Sequence, residues 1–300
     1  MKKKTYLFTL MAMALTLGSC SDNENGIGGE TSKYITVSTS IGNMTRVATD
    51  ANGAQTFEEG DEISVYAWTG DATVAPETRE RVVNNAINKL TNGSWVSTPQ
   101  MLWKNNRDKH YFIGVYPTAA ISDLSAGEYT FDETKQVESD LLVAVNKDGL
   151  SYNVDEQQPV PLTFTHVMAK LVVNLTYKNQ WGGIPTVEKV VVGNAAKEAT
   201  INYLTKVVTP STTAKEDFSL PEITENTKYV SVIIPQEDVK QLTIVIGGKN
   251  FVYDNGTPFK LESGKITTVN LEVGRDEIKL GDVKITDWEN GSTFSGEALN

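Results

Sequence analysis

Cys20 is the only cysteine in the 300-residue chain, and His110 and His166 are the only histidines. These side chains are the best suited to nucleophilic or metal chemistry near neutral pH, so their spacing decides which reactions are open. Neither histidine has a partner at the i, i+4 spacing that holds a metal on one helical face, and each reads as a surface or core-edge imidazole. The chain has no Gly-x-Ser-x-Gly elbow and no phosphate-binding loop. Gly247–Phe251, "GGKNF", lacks the spacing and the following helix of a phosphate cradle, and reads as a turn between strands. Asp50-Ala51-Asn52-Gly53 approaches a calcium loop, but Ala48 stands where the first acidic ligand is required. Glu58, Glu59 and Asp61 are close enough in sequence for an acid/base pair. In a chain with 38 acidic residues, solvated carboxylates are the plainer reading. The expectation is a protein with no catalytic residue, no metal and no cofactor.

That leaves Cys20. Lys2, Lys3 and Lys4 precede an apolar run from Tyr6 to Leu17, followed by the small residues Gly18 and Ser19. The run is shorter than the ~20 residues that cross a bilayer, and it has the layout of an export signal. Leu17-Gly18-Ser19-Cys20 resembles the lipobox of bacterial lipoproteins. The resemblance implies a signal peptide at 1–19 and lipidation at Cys20, which would also remove a reactive thiol from an oxidising compartment. Residues 20–33 begin with the polar, acidic stretch Ser21–Gly26 and read as a solvated tether. This stretch is similar to the acidic signal that carries Bacteroidetes lipoproteins to the outer face of the outer membrane.

The remaining chain must position whatever it displays with strands. Tyr34–Ile41 places Ile35, Val37, Thr39 and Ile41 on one face, and Asp61–Trp68 alternates in the same way. Asn92-Gly93 separates two alternating runs, the usual mark of a tight hairpin. Val-, Ile- and Thr-rich segments recur to the end, separated by Gly, Pro, Asn or Asp, while helical spacing is confined to short pieces such as Glu237–Leu242. The fold class is all-β. A boundary falls near Pro161–Leu171, because long polar insertions separate the strands before it and even spacing follows it, which suits two sandwiches. A net charge of −11 with five arginines argues against nucleic acid as a partner.

Several of these strands resemble those of one family. Phe57–Trp68 ("FEEGDEISVYAW"), Trp103–Pro117 ("WKNNRDKHYFIGVYP"), Ser139–Ala144 and Val160–Leu175 ("VPLTFTHVMAKLVVNL") resemble, in order, motifs of the Bacteroidetes fimbrillins. Val232–Gln236, Leu261–Val273 and Ile285–Gly291 match its C-terminal set. The resemblance implies two tandem transthyretin-like β-sandwich domains, at 34–168 and 169–300. It also implies a structural subunit of a type V pilus, exported as an outer-membrane lipoprotein and displayed on the cell surface.

Family members are processed by arginine-directed proteolysis near the start of the first domain. The groove so vacated accepts a strand from another pilin subunit. The matching position is Arg46, in the polar connection Asn43–Asp50 ("NMTRVATD"), with Arg79 and Arg81 as rivals. The displaced strand would then carry Tyr34, Ile35, Val37, Thr39 and Ile41. Its loss would cost on the order of 4–10 kcal/mol, a large share of a domain's stability. The same cut would release the lipid anchor from the outer membrane. The C-terminal segment "GSTFSGEALN" has no strongly apolar face and would donate poorly, so stalk, tip and accessory roles stay open, as do the host or bacterial surface ligands. The alternative is a surface glycan-binding lipoprotein using Trp68, Trp95, Trp103, Trp181 or Trp288 as a platform.

Overall fold

The strands follow the period-2 pattern of the sequence. A computed structural model describes residues 33–42, 56–153 and 158–288. Contacts group the chain into Met1–Ser32, which lies outside the described residues, and Lys33–Asn300. In the first half the strands are β1 (Val37–Ile41), β2 (Glu62–Thr69), β3 (Arg81–Thr91), β4 (Ser94–Thr98), β5 (His110–Tyr116), β6 (Gly127–Thr130), β7 (Leu142–Leu150) and β8 (Val160–His166). There follow β9 (Ala169–Tyr177), β10 (Val187–Ala196), β11 (Glu198–Asn202), β12 (Val207–Pro210), β13 (Lys215–Ser219) and β14 (Glu222–Thr224). The last five are β15 (Lys228–Ile233), β16 (Gln236–Ile246), β17 (Lys249–Leu261), β18 (Lys265–Val273) and β19 (Ile278–Asp287). Two 3-10 turns, at Thr78–Glu80 and Asn179–Trp181, are the helical elements among the described residues. Glu237–Leu242 lies within strand β16 rather than forming a helical turn.

Strand pairing divides at the Val167-Met168 connection. Seven strands ending at His166 form a sheet in the order β1-β8-β7-β5-β2-β3-β4. Strands from Ala169 onward form a five-stranded sheet, β14-β15-β9-β18-β19, and a four-stranded sheet, β13-β10-β16-β17. A small sheet, β12-β11-β6, joins the halves by pairing Glu198–Ile201 with Gly127–Thr130. Asn92 (φ 51°) and Gly93 (φ 72°) make the β3–β4 turn, and Gly247 (φ 59°) and Gly248 (φ 71°) the β16–β17 turn. Two successive positive φ values match the right-handed twist of the flanking strands.

The seven-stranded sheet is buried on both faces at its centre. On one side Ile63, Val65, Phe112, Leu162 and Phe164 form a core of their own. On the other, Tyr66, Trp68, Ile113 and Val115 pack into a second core, which continues through Val173, Val190, Leu242 and Val269. The segment after β5, a polar insertion by its sequence, supplies Ile121, Leu124 and Phe131 to that second core. A few apolar residues at irregular spacing are enough to cover a sheet, and no periodicity announces them.

Candidate functional site

The N-terminal strand lies at one margin of the seven-stranded sheet. β1 pairs in parallel with β8, from Val37 opposite Val160 to Ile41 opposite Phe164. Val160 N–H donates to Thr36 O and Gly42 N–H to Phe164 O, each at 2.8 Å, which extends the ladder at both ends. Ile35, Val37 and Ile41 are buried, Thr39 is half-buried, and Thr36, Ser38 and Ser40 point to solvent. Tyr34 is exposed and bridges Leu102.

The other margin of the sheet comes round to meet this strand. Ile35 N–H donates to Met101 O at 2.9 Å and Trp103 N–H donates to Lys33 O at 3.1 Å, just beyond β4. Trp95 on β4 donates its indole N–H to Thr39 Oγ1 at 3.0 Å. The segment 33–42 therefore closes the gap between the two margins, with its apolar face turned into the core. Aromatic rings brace both ends of the groove. Phe57 meets Trp95, Tyr116 and Phe164 edge to face at 5.1–5.3 Å near Ile41. Trp103 meets His110 and Phe112 edge to face near Ile35. Beneath Phe164, Gly114 has no side chain to obstruct the ring: a Cβ there would lie 2.6 Å from Phe164 Cζ.

Cys20, Arg46 and the C-terminal segment from residue 289 lie outside the described residues. The rival arginines have different surroundings. Arg79 is exposed and ion-paired with Glu77 at 2.9 Å. Arg81 is buried and donates to Asn84, to Ile121 O and to Ser122 O, so a protease cannot seat its side chain without unpicking three bonds. Both histidines are buried, so of the surface or core-edge placements read from the sequence the surface one does not hold. His110 accepts Lys104 N–H at Nε2, and burial lowers its affinity for a proton against the pull of Asp108. His166 lies 2.8 Å from Asp140 and stacks flat on Trp288 at 4.0 Å. Lys170, also buried, has its Nζ 5.3 Å from the Trp288 ring centre. Desolvation pulls the Lys170 pKa down to about 8, although Asp140 opposes the shift. Ile41, Phe57, Tyr116, Asp140, Lys170 and Trp288 line a cavity of about 440 Å³ at the end of β1.

The acidic residues after the Arg46 segment do structural work. Glu59 accepts Asn92 N–H at 2.6 Å and so caps the β3–β4 turn, while Asp61 accepts Glu58 N–H at 2.7 Å. They are committed to backbone amides, not merely solvated. Among the described residues no group of His, Asp or Glu is placed to hold a metal ion. None of the five tryptophans is exposed: Trp68 and Trp288 are buried and the other three half-buried. The aromatic braces were missed in the sequence. Phe57 carries no periodic signal, and Trp95 and Trp103 read from the sequence as candidate platform residues rather than as braces of this strand.

A family model described as fimbrillin-like matches residues 45–288. The chain is similar to Fim1C, a candidate fimbrium subunit of Bacteroides uniformis, with 25% identity over 99% of this chain and 100% of that protein. Among solved structures, a candidate cell adhesion protein from Bacteroides uniformis matches with a TM-score of 0.64 and 19% identity, over 86% of this chain and all of the other. A fimbrial protein from Bacteroides vulgatus matches with a TM-score of 0.52 and 12% identity, over 85% of this chain and 99% of the other. At these identities the structural matches speak for the fold.

Proposed function

The chain belongs to the fimbrillin-like family, and from that premise we propose that it is a cell-surface fimbrial subunit completed by another subunit's strand once its own first strand is removed. The observation that carries this reading is the seating of segment 33–42. It contributes three buried aliphatic side chains, parallel backbone pairing with β8 and a link to the opposite margin. An extended segment held by a ladder and by pockets for alternate side chains is the interaction mode of β-augmentation, in which one backbone can replace another. The link from this strand to the rest of the sheet runs through residues 43–55, which contain Arg46. Cleavage there would leave Tyr34–Ile41 held only by non-covalent contacts.

The remaining parts of the reading rest on sequence. Lipidation at Cys20 would hold the precursor in the outer membrane, and the cut at Arg46 would release anchor and strand together. The two sandwich domains, 34–168 and 169–300, less the residues up to 46, would then form the displayed subunit, with adhesion as its role. Its position within a fibre, stalk or tip, is set by whether its own C-terminal segment can donate. The glycan-binding alternative needs an exposed aromatic platform, and all five tryptophans are at least half-buried.

Limited digestion of the purified chain with a trypsin-like protease tests the proposal. The expected result is a first cut after Arg46, loss of residues up to 46 from the folded product on mild heating, and gel ladders when cleaved copies are mixed with a strand donor. Arg46→Ala should suppress both the cut and the ladder. A chain cut at Arg46 that keeps its N-terminal strand and never accepts a donor overturns the strand-exchange mechanism.

A further inference from the structure

β19 forms the margin of the five-stranded sheet, and among the described residues its backbone pairs on one side only, with β18. It is ten residues long, and none of those residues is buried. Its first half seats Ile278 and Leu280 partly against the core. A register shift follows, and beyond it Val283 and Ile285 stand opposite the buried Val269 and Thr267 while remaining 40% and 39% exposed. Asp282 and Lys284 flank Val283 and point to the other face, opposite Asn270 and Thr268. The Asn270 amide holds the Asp282 carboxylate at 2.6 Å.

Lysines on a sheet margin commonly repel a second strand. Here the sign of charge reverses across Val283. A second copy of β19 running antiparallel, with Val283 opposite Val283, brings Asp282 of each strand opposite Lys284 of the other. The same register joins the exposed valines on the core-facing side. Directly opposed residues of opposite charge stabilise an antiparallel pair and like charges destabilise it, so the pattern selects its own copy in this orientation over a parallel one or a one-residue slip.

We propose that β19 is a homotypic edge, through which two copies of this chain join their five-stranded sheets about a twofold axis at Val283. The contact is isologous, so it closes at two chains. It is smaller than a standard protein interface and weak between free chains. Copies repeated along two fibres would engage many such contacts at once and reinforce one another.

Sedimentation equilibrium of the full chain, at concentrations up to about 1 mM, reads the association directly. The expected result is a reversible monomer–dimer equilibrium. Lys284→Glu should weaken it about tenfold or more, because two attractive pairs become two repulsive ones. The double variant Asp282→Lys/Lys284→Glu should restore it. In a Cys20→Ser background, Val283→Cys should yield a covalent dimer on mild oxidation far faster than Lys279→Cys. A chain that is monomeric throughout the range overturns the proposal. So does a dimer indifferent to Lys284→Glu, or equal cross-linking from positions 279 and 283.

Discussion

The first and last described strands both lie at sheet margins, and they are built in opposite ways. β1 buries Ile35 (from its lead-in), Val37 and Ile41, takes a hydrogen bond from Trp95 and is linked at its start to the far margin of its own sheet. β19 buries none of its residues and touches the core only through Ile278 and Leu280. A place at the edge therefore says little about what a strand is worth. What decides it is whether the side chains beneath the ladder fill a groove that would otherwise stand empty. Removing β1 opens an apolar groove, whereas β19 presents a surface that water already reaches.

The difference can be broken most forcefully by placing a charge beneath each strand in turn. Val37→Asp should cost about 3 kcal/mol or more in urea unfolding, since a carboxylate would enter an apolar core with no partner. Ile285→Asp, measured on dilute monomer, should stay within about 0.5 kcal/mol. Equal costs would erase the distinction. A smaller effect is expected from Gly114→Ala. Its Cβ would press on Phe164, the residue opposite Ile41, and overpacking of this kind costs about 1–3 kcal/mol. The variant should also speed the loss of residues 33–42 after proteolytic nicking, leaving β19 untouched in hydrogen exchange. Trp95→Phe keeps an aromatic ring, though a smaller one, and removes the indole bond to Thr39, whose loss costs about 1 kcal/mol. A double-mutant cycle with Thr39→Val should return most of that as coupling.

Acid sharpens the comparison further. His110 packs against Trp103, whose backbone N–H holds Lys33. Burial lowers the folded-state pKa of His110 below its ordinary value. Below about pH 6.5 the unfolded chain takes up the proton and the folded chain resists it, so stability present above that pH is lost on acidification. Protection of the amides in 33–35, taken relative to the intrinsic exchange rate at each pH, should fall between pH 7 and 5, that of β19 much less, and His110→Gln should flatten the response.

Much of this was legible in the residues themselves. Alternation at Ile35, Val37, Thr39 and Ile41 identified the buried face of the N-terminal segment, because a strand's side chains have a period of two whatever its partner is. Asn92-Gly93 and Gly247-Gly248 marked hairpins, since paired positive φ values favour those residues. The short strands β11–β14 were less visible: three to five residues carry too little periodicity to stand out. Glu237–Leu242 is a strand because β17 pairs along it and β10 joins at Leu242, and local spacing was overruled by its neighbours.

The sequence by itself thus determined the all-β class, the faces of the longer strands, the tight turns and the likeness of ordered motifs to one family. All of these depend on residues a few positions apart. Only the tertiary structure decided that β1 runs parallel to a strand more than a hundred residues away, that Trp95 and Met101 reach it from the opposite margin, and that both histidines are buried. Pairing between distant segments is set by the joint packing of all the strands between them, and no single stretch of chain carries that information.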